Sequence, residues 1–123
     1  MITLTLPWPP SVNHYWRSVQ GRVLISREGR AYRETVAEAA LVRRVKALTG
    51  RLELHIQAVP PDRRRRDLDN VLKSLLDALQ HAGCYEDDSQ IDRLSIERQP
   101  RPEAPGQVRV TVQEMGGRNG VAP

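Results

Sequence analysis

Phenylalanine is missing from this 123-residue chain and cysteine occurs once. No apolar run approaches the ~20 residues that a membrane-spanning helix needs. The single thiol, Cys84, excludes an intrachain disulfide. With no histidine at readable spacing it is expected to be a small buried apolar residue rather than a nucleophile. The three histidines, His14, His55 and His81, are too scattered for a zinc site. The opening Met1-Ile2-Thr3-Leu4-Thr5 lacks the charged start and long apolar core of a signal peptide, so a cytoplasmic location is expected. No internal repeat is visible, and the length suits one domain with a genuine core.

What the chain does have is charge. Lys and Arg number 19 against 15 Asp and Glu, a net charge of +4, which favours a polyanionic partner. The arginines do not follow a hydrophobic stripe into a surface helix, so nucleic acid is a better expectation than a membrane surface.

The apolar spacing predicts an α+β domain. Ile2, Leu4 and Leu6 alternate with Thr3 and Thr5 as in a half-buried strand, which Pro7, Pro9 and Pro10 stop. A second strand is expected from Val23 to Ser26. A helix follows from about Arg30, with Ala37, Leu41, Val45 and Leu48 on one face and Gly50 as a candidate cap. Alternation returns through Leu52, Leu54, Ile56 and Ala58. A second helix starts near Asp67 to Asn70, turns Leu72, Leu75, Leu76 and Leu79 inward and closes at Gly83. Leu94 and Ile96, then Val108, Val110 and Val112, suggest two last strands joined as a long hairpin. The sum is a mixed sheet of about five strands with two main helices over residues 1–115, and a disordered tail from Gly116 to Pro123.

The chemistry concentrates in Asp62-Arg63-Arg64-Arg65-Arg66-Asp67-Leu68-Asp69-Asn70. Clustered arginines grip phosphates, and closely spaced carboxylates suit a hard divalent cation such as Mg²⁺. Alone, the arginine run also reads as a solvated loop, and Asp67 and Asp69 as helix caps, each worth about 1 kcal/mol. Two residues apart on a helix, the carboxylates diverge by about 200°. They converge only if Asp67 is still in an extended entry while Asp69 or Asn70 caps the helix. Lys73 is four residues after Asp69 and Asp77 four after Lys73, so the three form either an ion-pair ladder or an ammonium held beside a reaction centre. Glu86, Asp87 and Asp88 are expected to join Asp67 and Asp69 if the following strand lies beside the preceding one. Three carboxylates meeting there would require a cation. Trp8, Tyr15 and Trp16 either pack under the sheet or line a DNA channel.

Three stretches in order resemble the RusA family of Holliday-junction resolvases over essentially the whole domain. They are Pro7-Trp8-Pro9-Pro10-Ser11 with Asn13 and Tyr15, then Asp62 to Asn70 with Lys73 and Asp77-Ala78-Leu79, then Asp87-Asp88-Ser89-Gln90-Ile91. The resemblance implies a Mg²⁺-dependent endonuclease, with Mn²⁺ able to substitute, that works as a homodimer and makes paired symmetric nicks in four-way DNA junctions. Such proteins are often carried by prophages. By motif position the family's acidic triad falls on Asp67, Asp69 and Asp88, which hold the metal, and its catalytic lysine on Lys73. Asn70 belongs to the same motif and, with Arg63 to Arg66, is expected to contact DNA. Two rivals remain at this point: a less selective nuclease for branched or flap DNA, and a non-catalytic DNA-binding dimer whose carboxylates are only caps.

Overall fold

The computed structural model describes residues 1–115, so the expected tail lies outside the described residues. Strands β1 (Ile2–Pro7), β4 (Leu52–Val59), β5 (Ile91–Arg98) and β6 (Gln107–Glu114) form a mixed sheet in the order β1-β6-β4-β5. Strands β2 (Trp16–Val19) and β3 (Arg22–Ile25) form a separate two-stranded ribbon. Helices α1 (Val12–Tyr15), α2 (Arg27–Val42) and α3 (Asp69–His81) complete an α+β domain. No helix among the described residues is long and apolar enough to cross a membrane.

The alternation read in the sequence is the alternation of the sheet. Leu4, Leu6, Leu52, Leu54, Ile56, Val108, Val110 and Val112 are buried on one face, and Thr5, Glu53, His55 and Arg109 lie on the other. From α2 come Tyr32, Val36 and Ala40, and from α3 Val71, Leu75, Ala78 and Leu79, to close the same core. Burying each such Leu, Ile or Val contributes roughly 1.5–3 kcal/mol. Cys84 is buried too, and burial pushes its thiol up to about 11, as suits an unreactive core residue.

Three expectations need correction. The last two strands are not a hairpin: β4 lies between them, pairing antiparallel with β6 and parallel with β5. Once a helix has crossed over, the chain can enter the sheet on the far side of β4, and local spacing does not reveal that choice. The α2 helix ends at Val42, not near Gly50, because Arg44 adopts a positive φ of 53° that breaks the helical path, leaving Val45 and Leu48 to pack from the loop. The inward face of α2 is Tyr32, Val36 and Ala40, while Leu41 is exposed. Finally, Trp16 to Val19 is a strand. Gln20 and Gly21, with φ of 50° and 77°, make the tight turn that folds it back onto β3. Gly29 then lets α2 rest on this ribbon, since a Cβ there would collide with the Tyr15 carbonyl oxygen and meet Ile25 at 2.7 Å.

Direction of the sheet decides where charged residues go. After β4 ends at Val59, the arginine-rich segment sits at that end, α3 runs back, and β5 begins at the opposite end, with Leu52 beside Ile91 and Ala58 beside Arg98.

Candidate active site

Prolines 60 and 61 end β4, and the segment that follows is irregular because four consecutive guanidiniums repel and Asp62 gathers some of them. Asp62 accepts from Arg66 at 2.6 and 3.2 Å and from the Arg64 backbone N–H at 2.9 Å. The Arg66 guanidinium, then the Arg64 amide, hold this carboxyl at about 2, below its usual 3.8. Arg66 is therefore committed: its guanidinium lies 5.9 Å from the centre of the Trp8 ring, and its carbonyl accepts from Arg98. Arg63, Arg64 and Arg65 are exposed.

Asp67 is outside α3 and Asp69 is its first residue, as the extended-entry reading requires. The expected cap is absent, however. Leu68 occupies the cap position in a helical conformation, and no side chain caps the helix. The carboxylates of Asp67 and Asp69 make no hydrogen bond or ion pair among the described residues, and both residues are exposed. The capping explanation therefore fails. Negative charge at the helix start still favours the dipole by a few tenths of a kcal/mol.

The Asp69–Lys73–Asp77 ladder does not form either. Asp77 is held instead by Arg33, at 2.8 and 2.9 Å, and by the hydroxyl of buried Tyr15, which donates to it. Burial and then Asp77 push the Tyr15 hydroxyl's pKa well above its usual range, so it remains a donor. Arg33 also sits 6.0 Å from the Tyr15 ring centre and 5.9 Å from that of Trp16. This network ties α1, α2 and α3 together. It leaves Lys73 exposed and unpaired among the described residues. Tyr15 and most of Trp16 are thus packing residues, while Trp8 is half-buried with its ring beside the Arg66 guanidinium.

Asp88 stands elsewhere. Its backbone N–H donates to Gln80 near the end of α3 at 3.0 Å, and it opens the short 3₁₀ turn Asp88–Gln90 that leads into β5. Asp69 and Gln80 are separated by about 16 Å of helix, and β5 itself spans about 23 Å. The crossover does bring β5 beside β4, but a parallel strand begins at the end opposite to where its neighbour finished. Within one chain Asp88 and Asp67 are therefore at opposite ends of the sheet. Accordingly, no group of three acidic, histidine or cysteine side chains among the described residues is arranged to hold a metal.

A cleft of about 480 Å³ opens beside Asp67, with Trp8, Arg66 and Asn70 among the residues that line it. Sequence reasoning missed three supports of this region, Asp62, Arg33 and Ser74. The i, i+4 spacing of Asp62 and Arg66, and one serine on an otherwise apolar helix face, were the available signals.

A basic loop and unengaged carboxylates at one helix start define a class of protein that works on nucleic-acid backbones, and the comparisons agree. The family model for endodeoxyribonuclease RusA matches residues 7–113. The chain is 41% identical over 115 residues to the crossover junction endodeoxyribonuclease RusA of Escherichia coli K12, covering 93% of this chain and 95% of that protein. It is 42% identical to the protein of the same name from enterobacteria phage 82, over 92% and 94% of the two chains. Against that of phage HK97 it is 46% identical over 76% and 78%. The chain belongs to the RusA family of endodeoxyribonucleases.

Proposed function

We propose that this protein is a homodimeric, Mg²⁺-dependent endonuclease that resolves four-way DNA junctions by paired symmetric nicks. The observation that carries this reading is the start of α3, where Asp67 and Asp69 neither cap the helix nor pair, directly after an exposed arginine run. Their oxygens suit a hard cation, which is commonly held by one or two carboxylates together with substrate phosphates. Bound by Asp67, Asp69 and a third carboxylate, Mg²⁺ would supply Lewis acidity and offset charge at the phosphorus.

The third carboxylate is Asp88 of a second copy. Strands β1 and β5 are the two edges of the sheet, and β5 is the more exposed, with Leu94 on its helix-side face. Two β5 edges pairing antiparallel about a two-fold axis set the start of one β5 beside the end of the other. The end of β5 is where Arg98 bonds the Arg66 carbonyl, next to Asp67. A dimer so formed has two composite sites, matching the two strands to be cut.

In each site Arg63, Arg64 and Arg65 hold backbone phosphates, and Asn70 contacts the DNA. The Lys73 ammonium lies on the exposed side of α3, free to stabilise charge developing on the phosphate oxygens. Hydrolysis forms a bond from water to phosphorus and breaks the P–O3′ bond, leaving a 5′ phosphate and a protonated 3′ hydroxyl.

The test is nicking of a synthetic four-way junction, followed by mixing two inactive variants. Asp67→Asn and Asp88→Asn are each expected to lose activity. Mixed, they form heterodimers with one intact site, because Asp67 of one chain meets Asp88 of the other, and single-strand nicking returns. A mixture that stays inactive despite subunit exchange rules out the shared site. Unselective cutting of flaps and duplexes would favour the broader nuclease.

A further inference from the structure

The half-buried indole beside the Arg66 guanidinium has no role in the chemistry above, yet it is mounted with unusual rigidity. Pro7, Pro9 and Pro10 fix the backbone on both sides of Trp8. The carbonyl of Pro7 accepts from the Tyr32 hydroxyl at 2.8 Å, and that of Pro10 from the Ser74 hydroxyl at 2.7 Å. Ser74 is fully buried and lies one helical turn after Asn70. Trp8, Asn70 and Asp67 are thereby held in one fixed relation around the cleft of about 480 Å³.

Arg66 adds a second plane. With Asp62 neutralising its charge, its guanidinium rests against the indole and offers a flat face more than a phosphate clamp. Lining the same cleft, Asn70 is exposed in the first turn of α3, and its amide, both donor and acceptor, has no partner among the described residues. A flat platform and an open amide in one cleft are the chemistry that binds a nucleobase: stacking tolerates any base, and the amide reads its edge.

We propose that this cleft receives one unpaired nucleobase adjoining the bond to be cut, stacked on the Trp8–Arg66 platform with its edge read by Asn70. The inference rests on the junction-nuclease reading and deepens it. At a branch point base stacking is interrupted, so a base there leaves the helix at less cost than one inside continuous duplex. Filling the cleft would then place the neighbouring phosphate beside Asp67, linking branch recognition to the position of the cut.

Trp8 and Trp16 are the two tryptophans, so in Trp16→Phe protein Trp8 is the sole indole emitter. The change is tolerable because the indole N–H of Trp16 is buried without a partner. Titrating four-way junction DNA into this variant in Ca²⁺ is expected to quench Trp8 emission. Junctions carrying an abasic site at one position next to the nick should bind without that quench. If Trp16→Phe protein does not fold, the emission difference between wild type and Trp8→Phe supplies the same reading. In Mg²⁺, Asn70→Ala is expected to flatten the rate differences among the four bases at that position by about tenfold or more. Undiminished base preference in Asn70→Ala, unchanged Trp8 emission on a junction shown to be bound by mobility shift, or equal quenching by every abasic junction, would overturn the cleft proposal. Any of these results, with wild-type protein still nicking the junction, overturns the cleft alone, whereas absence of both binding and nicking by the wild type overturns the nuclease reading beneath it.

Discussion

Two aspartates on one helix have opposite fates. Asp77 is held by Arg33 and Tyr15 through one carboxylate oxygen, and it joins α1, α2 and α3. Asp69, two turns earlier, touches no cation and caps nothing, although the same helix supplies Lys73 at the right spacing. A carboxylate that already holds a cation and a hydroxyl is committed to the fold, and one without such partners stays open to an external cation. Among the arginines the contrast repeats: Arg66 is locked by Asp62, while Arg63 and Arg65 point to solvent without partners among the described residues.

The largest expected effect breaks the comparison directly. Asp67→Asn and Asp69→Asn should each lower nicking by about 10³-fold or more, the scale of removing an essential electrostatic element, with melting temperature unchanged or slightly raised. Asp77→Asn should do the reverse, costing about 2 kcal/mol of stability because it leaves Arg33 without its anion in a partly buried site. Thermal melts beside junction-cleavage rates distinguish the two classes. Loss of fold in Asp67→Asn would mean that the open carboxylate is structural after all. Replacing Mg²⁺ by Ca²⁺ should keep junction binding and stop cleavage, since Ca²⁺ adopts looser coordination. Full activity in EDTA would remove the metal.

Next in size is Lys73→Ala, expected to lower the cleavage rate by about 10²-fold while binding changes little. Equal losses in rate and affinity would make it a binding residue only.

How far this division could be read beforehand depends on sequence distance. Asp67, Asp69 and Lys73 lie close in the chain, so spacing alone was enough to put them together at the start of α3. Ile2 to Leu6, Leu52 to Ala58 and the leucines of α3 announced their buried faces by period. The ribbon strand Trp16–Val19 is too short to show a period, and its signal was the Gln20-Gly21 turn. That Asp77 would choose Arg33 over Lys73 depends on how α2 packs on α3, which spacing within α3 does not encode. The motif named Asp88, but its expected convergence with Asp67 within one chain does not occur, because its position depends on where β5 enters the sheet.

A smaller effect concerns the arginines. Replacing Arg63, Arg64 and Arg65 singly by Ala should each reduce the slope of log affinity against log salt by roughly one, as expected for a lost phosphate contact. Arg66→Ala should change that slope less and lower stability more, because its guanidinium serves Asp62 and Trp8. The Asp62–Arg66 contact has its own pH signature. A carboxyl whose folded pKa is depressed stabilises the fold above its unfolded value, so this contribution is complete above 3.8 and disappears as pH falls towards about 2. Equal salt slopes for all four variants would erase the distinction.

The finest comparison is between neighbours. Asp87 caps the 3₁₀ turn: its carboxylate accepts from the Ser89 hydroxyl and the Gln90 backbone, while Gln90 reaches back to the Asp87 N–H at 3.0 Å. Because that carboxylate is committed to the cap, Asp87→Asn should cost at most about 1 kcal/mol of stability and leave nicking within a few-fold of wild type. Asp88, whose carboxylate has no partner among the described residues, should behave in the opposite way, losing nicking while retaining fold and junction binding. Cleavage of one junction by both variants, with thermal melts alongside, separates the two roles. If Asp87→Asn is the inactive one, the partner carboxylate in the composite site is Asp87. Engagement in a cap would then no longer mark a residue as structural.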